Sequence, residues 1–230
     1  MIISGIEKNS FGDYPGKVSV VLFTQGCNFH CGFCHNPQLS KKDKKITFFS
    51  EEDIFALLDK RKDLIDAVVV TGGEPTLQKD LVAFIKEIKK RGYLVKLDTN
   101  GYQPKILSQI IDQKIVDYLA MDIKGPFYKY SKIVETKIDT DKIKKSIELI
   151  IGSGVDHEFR STILPFWHKK KDIEEMANMI RGTEKYYLQN FIARPDLVNP
   201  AFQTAKSYEE KDLKRFAKVA KKIVGHCEVR

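Results

Sequence analysis

Apolar and polar positions along this chain keep two rhythms. Short β-branched runs read as strands, and between them apolar residues recur every three or four positions, the period of a helix with one buried face. Strands are predicted over 17–24, 67–71, 93–98, 116–123, 157–164 and 186–192. Helices are predicted from Ser50, and through Leu81, Phe84, Ile85 and Ile88 to a stop at Gly92. Others follow Pro104, run over 141–151 to Gly152 and Gly154, and span 170–180. A last helix, about 207–224, carries Leu213, Phe216, Ala217 and Ala220 on one face. Ser50 and Ser207 each precede a carboxylate by three residues, the pattern of a capping box.

Strand and helix alternate about six times, and no break in composition is wide enough for a linker. We therefore expect a single α/β domain over 1–230, with a core at about 17–195. Such alternation builds a parallel sheet covered by helices, either open and doubly wound or an incomplete β/α barrel. Both architectures gather their chemistry at the C-terminal ends of the strands.

No apolar run reaches the roughly 18 residues of a membrane span. Glu7 and Lys8 sit where a signal peptide would be apolar. The expectation is a cytoplasmic protein with no membrane partner. Lys plus Arg total 39 against 31 Asp plus Glu, a formal charge of +8. The runs Lys41-Lys42-Asp43-Lys44-Lys45 and Lys169-Lys170-Lys171 have few aromatics between them, so they read as solvated surface rather than a nucleic-acid footprint.

Three of the four cysteines fall within eight residues: Cys27, Cys31 and Cys34 on the loop after the first predicted strand. Three thiolates at this spacing suit either an open or His-completed zinc site, with His30 or His35 as fourth ligand, or a [4Fe–4S] cluster with one iron left free. Cys227, near the C-terminal Arg230, stands apart. The second strand runs into Gly72-Gly73-Glu74-Pro75, where glycines permit close backbone approach and Glu74 offers a carboxylate suited to an ammonium group. The next two strands end in Asp98-Thr99-Asn100-Gly101 and Met121-Asp122-Ile123-Lys124. Arg160 lies within a strand, where it is costly unless it meets a ligand or carboxylate.

Together, the cysteine motif after one strand and Gly-Gly-Glu-Pro after the next resemble the radical S-adenosylmethionine (SAM) superfamily. Asp13-Tyr14-Pro15-Gly16, Phe23-Thr24-Gln25-Gly26-Cys27-Asn28 and Cys34-His35-Asn36-Pro37 are similar to the activating enzymes of glycyl-radical proteins. Among these, the resemblance is to the activators of anaerobic ribonucleoside-triphosphate reductase and of pyruvate formate-lyase, and it covers roughly residues 1–195. It implies a partial (β/α)6 barrel in which Cys27, Cys31 and Cys34 hold a [4Fe–4S] cluster whose fourth iron is chelated by SAM. Gly72, Gly73 and Glu74 would contact the methionyl part, and the backbone around Phe33 and His35 the adenine side. Asp98, Thr99 and Asp122 would line the cavity around a monovalent cation, with Lys124 and Arg160 as basic contacts.

The implied reaction is reductive cleavage of SAM to methionine and a 5′-deoxyadenosyl radical, which takes a hydrogen atom from a glycine of the partner, here anaerobic ribonucleotide reductase. No side chain beyond the cluster ligands need be catalytic. With no second cysteine set, electrons would come from a separate flavodoxin or ferredoxin. Relatives carry a His on the last barrel strand; here only Gln189 offers a substitute. The alternatives are a small-molecule radical SAM enzyme like 7-carboxy-7-deazaguanine synthase, and a metal-bearing nucleic-acid-binding module.

Overall fold

The computed structural model describes residues 1–40 and 48–230, so the Lys41–Lys45 run lies outside the described residues. Eight strands lie side by side in chain order: β1 (Ile3–Ser10), β2 (Ser19–Thr24), β3 (Ala67–Gly72), β4 (Leu94–Thr99), β5 (Tyr118–Asp122), β6 (Asp156–Ile163), β7 (Lys185–Asn190) and β8 (His226–Val229). β1 runs antiparallel to β2, and every later neighbour is parallel. The sheet is not closed; β1 and β8 are its edges. Six longer helices fill the crossovers: α1 (Glu51–Lys60), α2 (Leu81–Lys90), α3 (Pro104–Asp112), α4 (Thr140–Gly152), α5 (Lys170–Met179) and α6 (Glu210–Ala220).

The six predicted strands match β2 to β7 to within a few residues. The two edge strands escaped the pattern. β1 carries exposed Glu7 and Lys8, and β8 is only four residues long. An edge strand buries too little to leave a strong apolar signal. Ser50 caps α1, its hydroxyl accepting the Asp53 N–H at 3.1 Å. Ser207 does not cap α6; its hydroxyl donates instead to the Phe191 carbonyl beyond β7, and the helix starts at Glu210. Gly92, at φ +88°, ends α2 as expected.

Alternation along the strands gives the sheet two unlike faces. Val95, Leu97, Leu119, Met121, Phe159 and Leu188 point to one side and join the main core with the helices. On the other side Val21, Val69 and Tyr118 form a small apolar plug with Tyr14. Further along β4 to β7 that inner side becomes polar: Lys96, Asp98, Asp122, Glu158 and Arg160 all occupy it. Glu158 is held by Tyr118 at 3.0 Å and by both Arg230 guanidinium nitrogens at 3.0 and 3.1 Å.

His168, fully buried, ties the loops after β5 and β6 together. Its Nε2–H donates to the Lys124 carbonyl at 2.9 Å and its Nδ1 accepts the Leu164 N–H at 3.1 Å. A carbonyl can only accept, so Nε2 carries the proton; an accepting Nδ1 carries none, so the ring is neutral, and burial lowers its pKa to about 4. The folded pKa lies below the ordinary value near 6.5, so this stability is whole above about pH 6.5 and drains away as pH falls toward 4. Urea unfolding should show a loss of roughly 3 kcal/mol across that window, at about 1.4 kcal/mol per pH unit. A His168→Gln variant that kept the whole slope would refute this assignment.

Candidate active site

At the C-terminal ends of the strands lies a cavity of about 290 Å³. Cys27, Cys31, Cys34, Phe33, His35, Gly72, Gly73, Glu74, Asp98, Thr99, Asp122, Lys124 and Arg160 all line it. Gln189 of β7 joins them. His30, the other candidate fourth ligand, does not: its ring lies outside the cavity, 3.0 Å from the Thr136 hydroxyl. Nor does Cys227: it lies in β8 opposite Tyr186, inside the main core.

The cysteine loop leaves β2 through Gly26, at φ +95°, whose N–H donates to the Leu39 carbonyl at 2.7 Å. Burial pushes the Cys27 thiol up to about 11 and the Cys31 thiol up to about 12. The bare thiols are therefore protonated at neutral pH, and ligation must displace those protons. Among the described residues no three His, Cys, Asp or Glu side chains gather tightly enough for a single metal ion. A zinc ion would draw its sulfurs to about 2.3 Å from one point. Three thiols spread around one cavity suit instead a polynuclear cluster, in which each takes a different iron.

The Gly-Gly-Glu turn is zipped to the chain just before Cys27. Gly73 N–H donates to the Thr24 carbonyl at 2.9 Å and Glu74 N–H to the Gly26 carbonyl at 2.8 Å. A Cβ on Gly72, at φ +122°, would fall 2.2 Å from the Thr24 nitrogen, and one on Gly73 would fall 2.1 Å from the Gly26 oxygen. The Glu74 carboxylate departs from the expectation that it awaits an ammonium group. It is buried and accepts from Thr76 N–H at 3.1 Å, the Thr76 hydroxyl, the Thr99 hydroxyl at 2.7 Å and Asn100 N–H at 2.6 Å. It pins the turn after β3 to the turn after β4, and the two glycines present only backbone to the cavity.

The cavity floor carries interlocked charges. Arg160 Nε meets Asp122 Oδ1 at 3.1 Å and its Nη2 meets Asp98 Oδ2 at 3.2 Å. Lys124 Nζ lies 2.9 Å from Asp122 Oδ2, and Lys96 Nζ lies 2.5 Å from Asp98 Oδ1. Burial alone would raise both carboxyls. Arg160 and Lys96 outweigh it at Asp98, and Lys124 and Arg160 do so at Asp122, so both are held below the ordinary range. Lys96 was not read from the sequence, though its signal was there: two residues before Asp98 in a strand, it shares that residue's face. Each aspartate oxygen already has a cationic partner and three bases outnumber two acids, so a monovalent cation does not fit this floor.

Phe33 and His35 sit on the opposite wall. Phe33 is buried edge-on against Phe202, and His35 stacks on Phe191 with 18° between the rings while its Nε2–H donates to the Ile192 carbonyl at 2.9 Å. Burial lowers the His35 pKa, which favours the neutral ring.

The family profile of the radical SAM superfamily matches residues 21–181. Over 234 aligned residues, all of this chain and 95% of the relative, the sequence is 36% identical to a Methanocaldococcus jannaschii protein whose name provisionally assigns it to the glycyl-radical enzyme activating enzymes. It is 30% identical to the pyruvate formate-lyase-activating enzyme of Clostridium pasteurianum, across 78% of this chain and 76% of that one. The fold superposes on Streptococcus suis SuiB bound to S-adenosylmethionine with a TM-score of 0.68 at 15% identity, using 90% of this chain and about half (48%) of SuiB.

Proposed function

This chain belongs to the radical SAM superfamily, whose enzymes use a [4Fe–4S] cluster and SAM, and we propose that within it the chain activates a glycyl-radical enzyme, anaerobic ribonucleoside-triphosphate reductase. The observation that carries the activase reading is likeness along the whole length: 36% identity to the Methanocaldococcus jannaschii relative, with all of this chain aligned.

In this reading Cys27, Cys31 and Cys34 would hold the [4Fe–4S] cluster and, being three, would leave room on it for SAM. The chemistry supplied when both are bound is one-electron cleavage of the C5′–S bond, giving methionine and a radical able to take hydrogen from a glycine Cα. The protein's part is placement. Gly72 and Gly73 let a ligand lie against bare backbone, and Glu74 keeps that backbone at a fixed height above Asn100. Lys124 and Arg160 turn the surplus positive charge of the floor toward a carboxylate-bearing ligand, while Phe29 and Phe33 line the wall that keeps water from the loop. Anaerobic protein reconstituted with iron and sulfide and reduced with dithionite should convert SAM to 5′-deoxyadenosine and methionine in equal amounts. Cluster-loaded protein that makes no 5′-deoxyadenosine would sink the proposal.

The buried charge on Lys96 bears on salt. With Asp98 already neutralised from within, SAM affinity should stay within about twofold when potassium is replaced by choline at constant ionic strength, since exposed electrostatics is screened equally by both. Lys96→Met removes the internal cation. That variant should bind SAM about tenfold more weakly in choline, near 1.4 kcal/mol, and recover in potassium. A potassium requirement in the wild type would overturn this.

A further inference from the structure

A second groove of about 260 Å³ lies beside the cysteine loop and shares no lining residue with the first cavity. Phe166, Trp167 and Phe202 form its aromatic part, with Lys132, Glu135 and Asn199 beside them. Its lining touches the cysteine loop directly. Asn199 N–H donates to the Gly32 carbonyl at 2.9 Å, and a Cβ on Gly32 would collide with Glu135, Asn199 and Phe202. Aromatic contacts run unbroken from the surface inward. Phe166, which is 70% exposed, lies 4.7 Å from Trp167 and 5.7 Å from Phe202, and Phe202 lies 6.0 Å from Phe33, the neighbour of Cys34.

Two further observations point to a partner. The Trp167 indole N–H is buried at this groove and has no acceptor among the described residues. The three segments that form the rim, 128–136, 164–172 and 194–206, hold seven basic residues against three acidic ones. Lys132, Lys169, Lys170, Lys171 and Lys206 are exposed, and Lys132 Nζ lies over the Trp167 ring at 5.7 Å.

We propose that this groove is the docking face of a flavodoxin, an acidic flavin protein, which delivers the electron to the cysteine loop from outside the SAM cavity. The proposal rests on the radical SAM reading. A glycine-bearing partner must enter the cavity where SAM lies, so a donor that leaves the mouth free has to reach the loop from another side. Gly32 and Phe33 are reached here through one layer of side chains. The basic rim matches an acidic donor and steers its approach. The aromatic groove suits the apolar edge of an exposed flavin ring. In the transfer the flavin hydroquinone loses one electron and a proton to become the semiquinone, the proton goes to solvent, and the cluster gains the electron. No bond of this chain is made or broken.

The test compares reductants in the cluster-loaded protein carrying Lys132→Glu and Lys170→Glu. With reduced flavodoxin as donor, 5′-deoxyadenosine formation should fall at least tenfold at low salt. Calorimetry should show flavodoxin binding weakened by a similar factor. With dithionite the rate should stay within twofold of wild type. Phe166→Ser, which alters one exposed ring, should reproduce the flavodoxin-specific loss. Unchanged flavodoxin binding and rate would overturn the proposal. So would an equal loss with dithionite, or a loss of glycyl-radical formation with dithionite alone, which would make the groove the seat of the glycyl-radical partner. No SAM cleavage by wild type under either reductant would instead overturn the radical SAM reading beneath it.

Discussion

Replacing Cys31 by serine is expected to abolish cluster loading and SAM cleavage together, while replacing Cys227 by serine leaves both intact. The contrast follows from position. Cys31 is buried on the wall of the strand-end cavity, on a loop tied at His30 N–H to the Val134 carbonyl and at Gly32 to Asn199. A serine hydroxyl there fits the space but is a poor iron ligand, and two remaining thiols cannot hold a cluster that already draws one ligand from outside the chain. Cys227 sits in β8 within the main core, so losing its sulfur costs packing alone, about 1 kcal/mol. Visible absorbance and iron content after anaerobic reconstitution read the first property; 5′-deoxyadenosine reads the second. Retention of a full cluster by Cys31→Ser would remove the basis of the proposed chemistry.

Gly73→Ala should lower the rate of SAM cleavage about 100-fold in a protein that still folds. The added methyl group would lie 2.1 Å from the Gly26 oxygen and 3.0 Å from the Leu39 oxygen, where ordinary contact begins near 3.4 Å. Both obstacles are backbone, so neither can swing aside. The chain at Gly26 must part from the Gly-Gly-Glu turn by about an ångström, breaking the register set by the Gly73–Thr24 and Glu74–Gly26 bonds. Overpacking of this kind costs about 1–3 kcal/mol of stability. A misplacement of about 1 Å between reacting parts costs about 10²-fold in rate. Cys27 directly follows Gly26, so the cysteine loop and the ligand-facing turn would move relative to one another. A melting temperature lowered by a few degrees with SAM cleavage unchanged would show that this close approach serves packing alone.

Much of this arrangement was legible in the residues. β-branched runs cut by glycine and proline placed β2 to β7, and each run delivered its chemistry at its C-terminal end because parallel strands all point the same way. Arg160 announced itself as a charge inside a strand, and it does meet two carboxylates. What escaped depends on contacts between segments distant in sequence. Glu74 looked free for a ligand because nothing local reveals that Thr99 and Asn100, some 25 positions on, come to its carboxylate. Ser207 looked like a cap because the Phe191 carbonyl, which claims its hydroxyl, is tertiary. Lys96 went unread because only the packed structure shows the inner face of β4 closed over it, leaving it 1% exposed.

The central claim is that the radical made in this cavity is passed to a glycine of another protein. The most direct test mixes anaerobic, reconstituted and reduced protein with SAM and the anaerobic ribonucleoside-triphosphate reductase of the same organism, and records the electron paramagnetic resonance spectrum. The account predicts the doublet of a glycyl radical, dependent on SAM and lost with Cys31→Ser. No doublet, from protein that still forms 5′-deoxyadenosine, would contradict it.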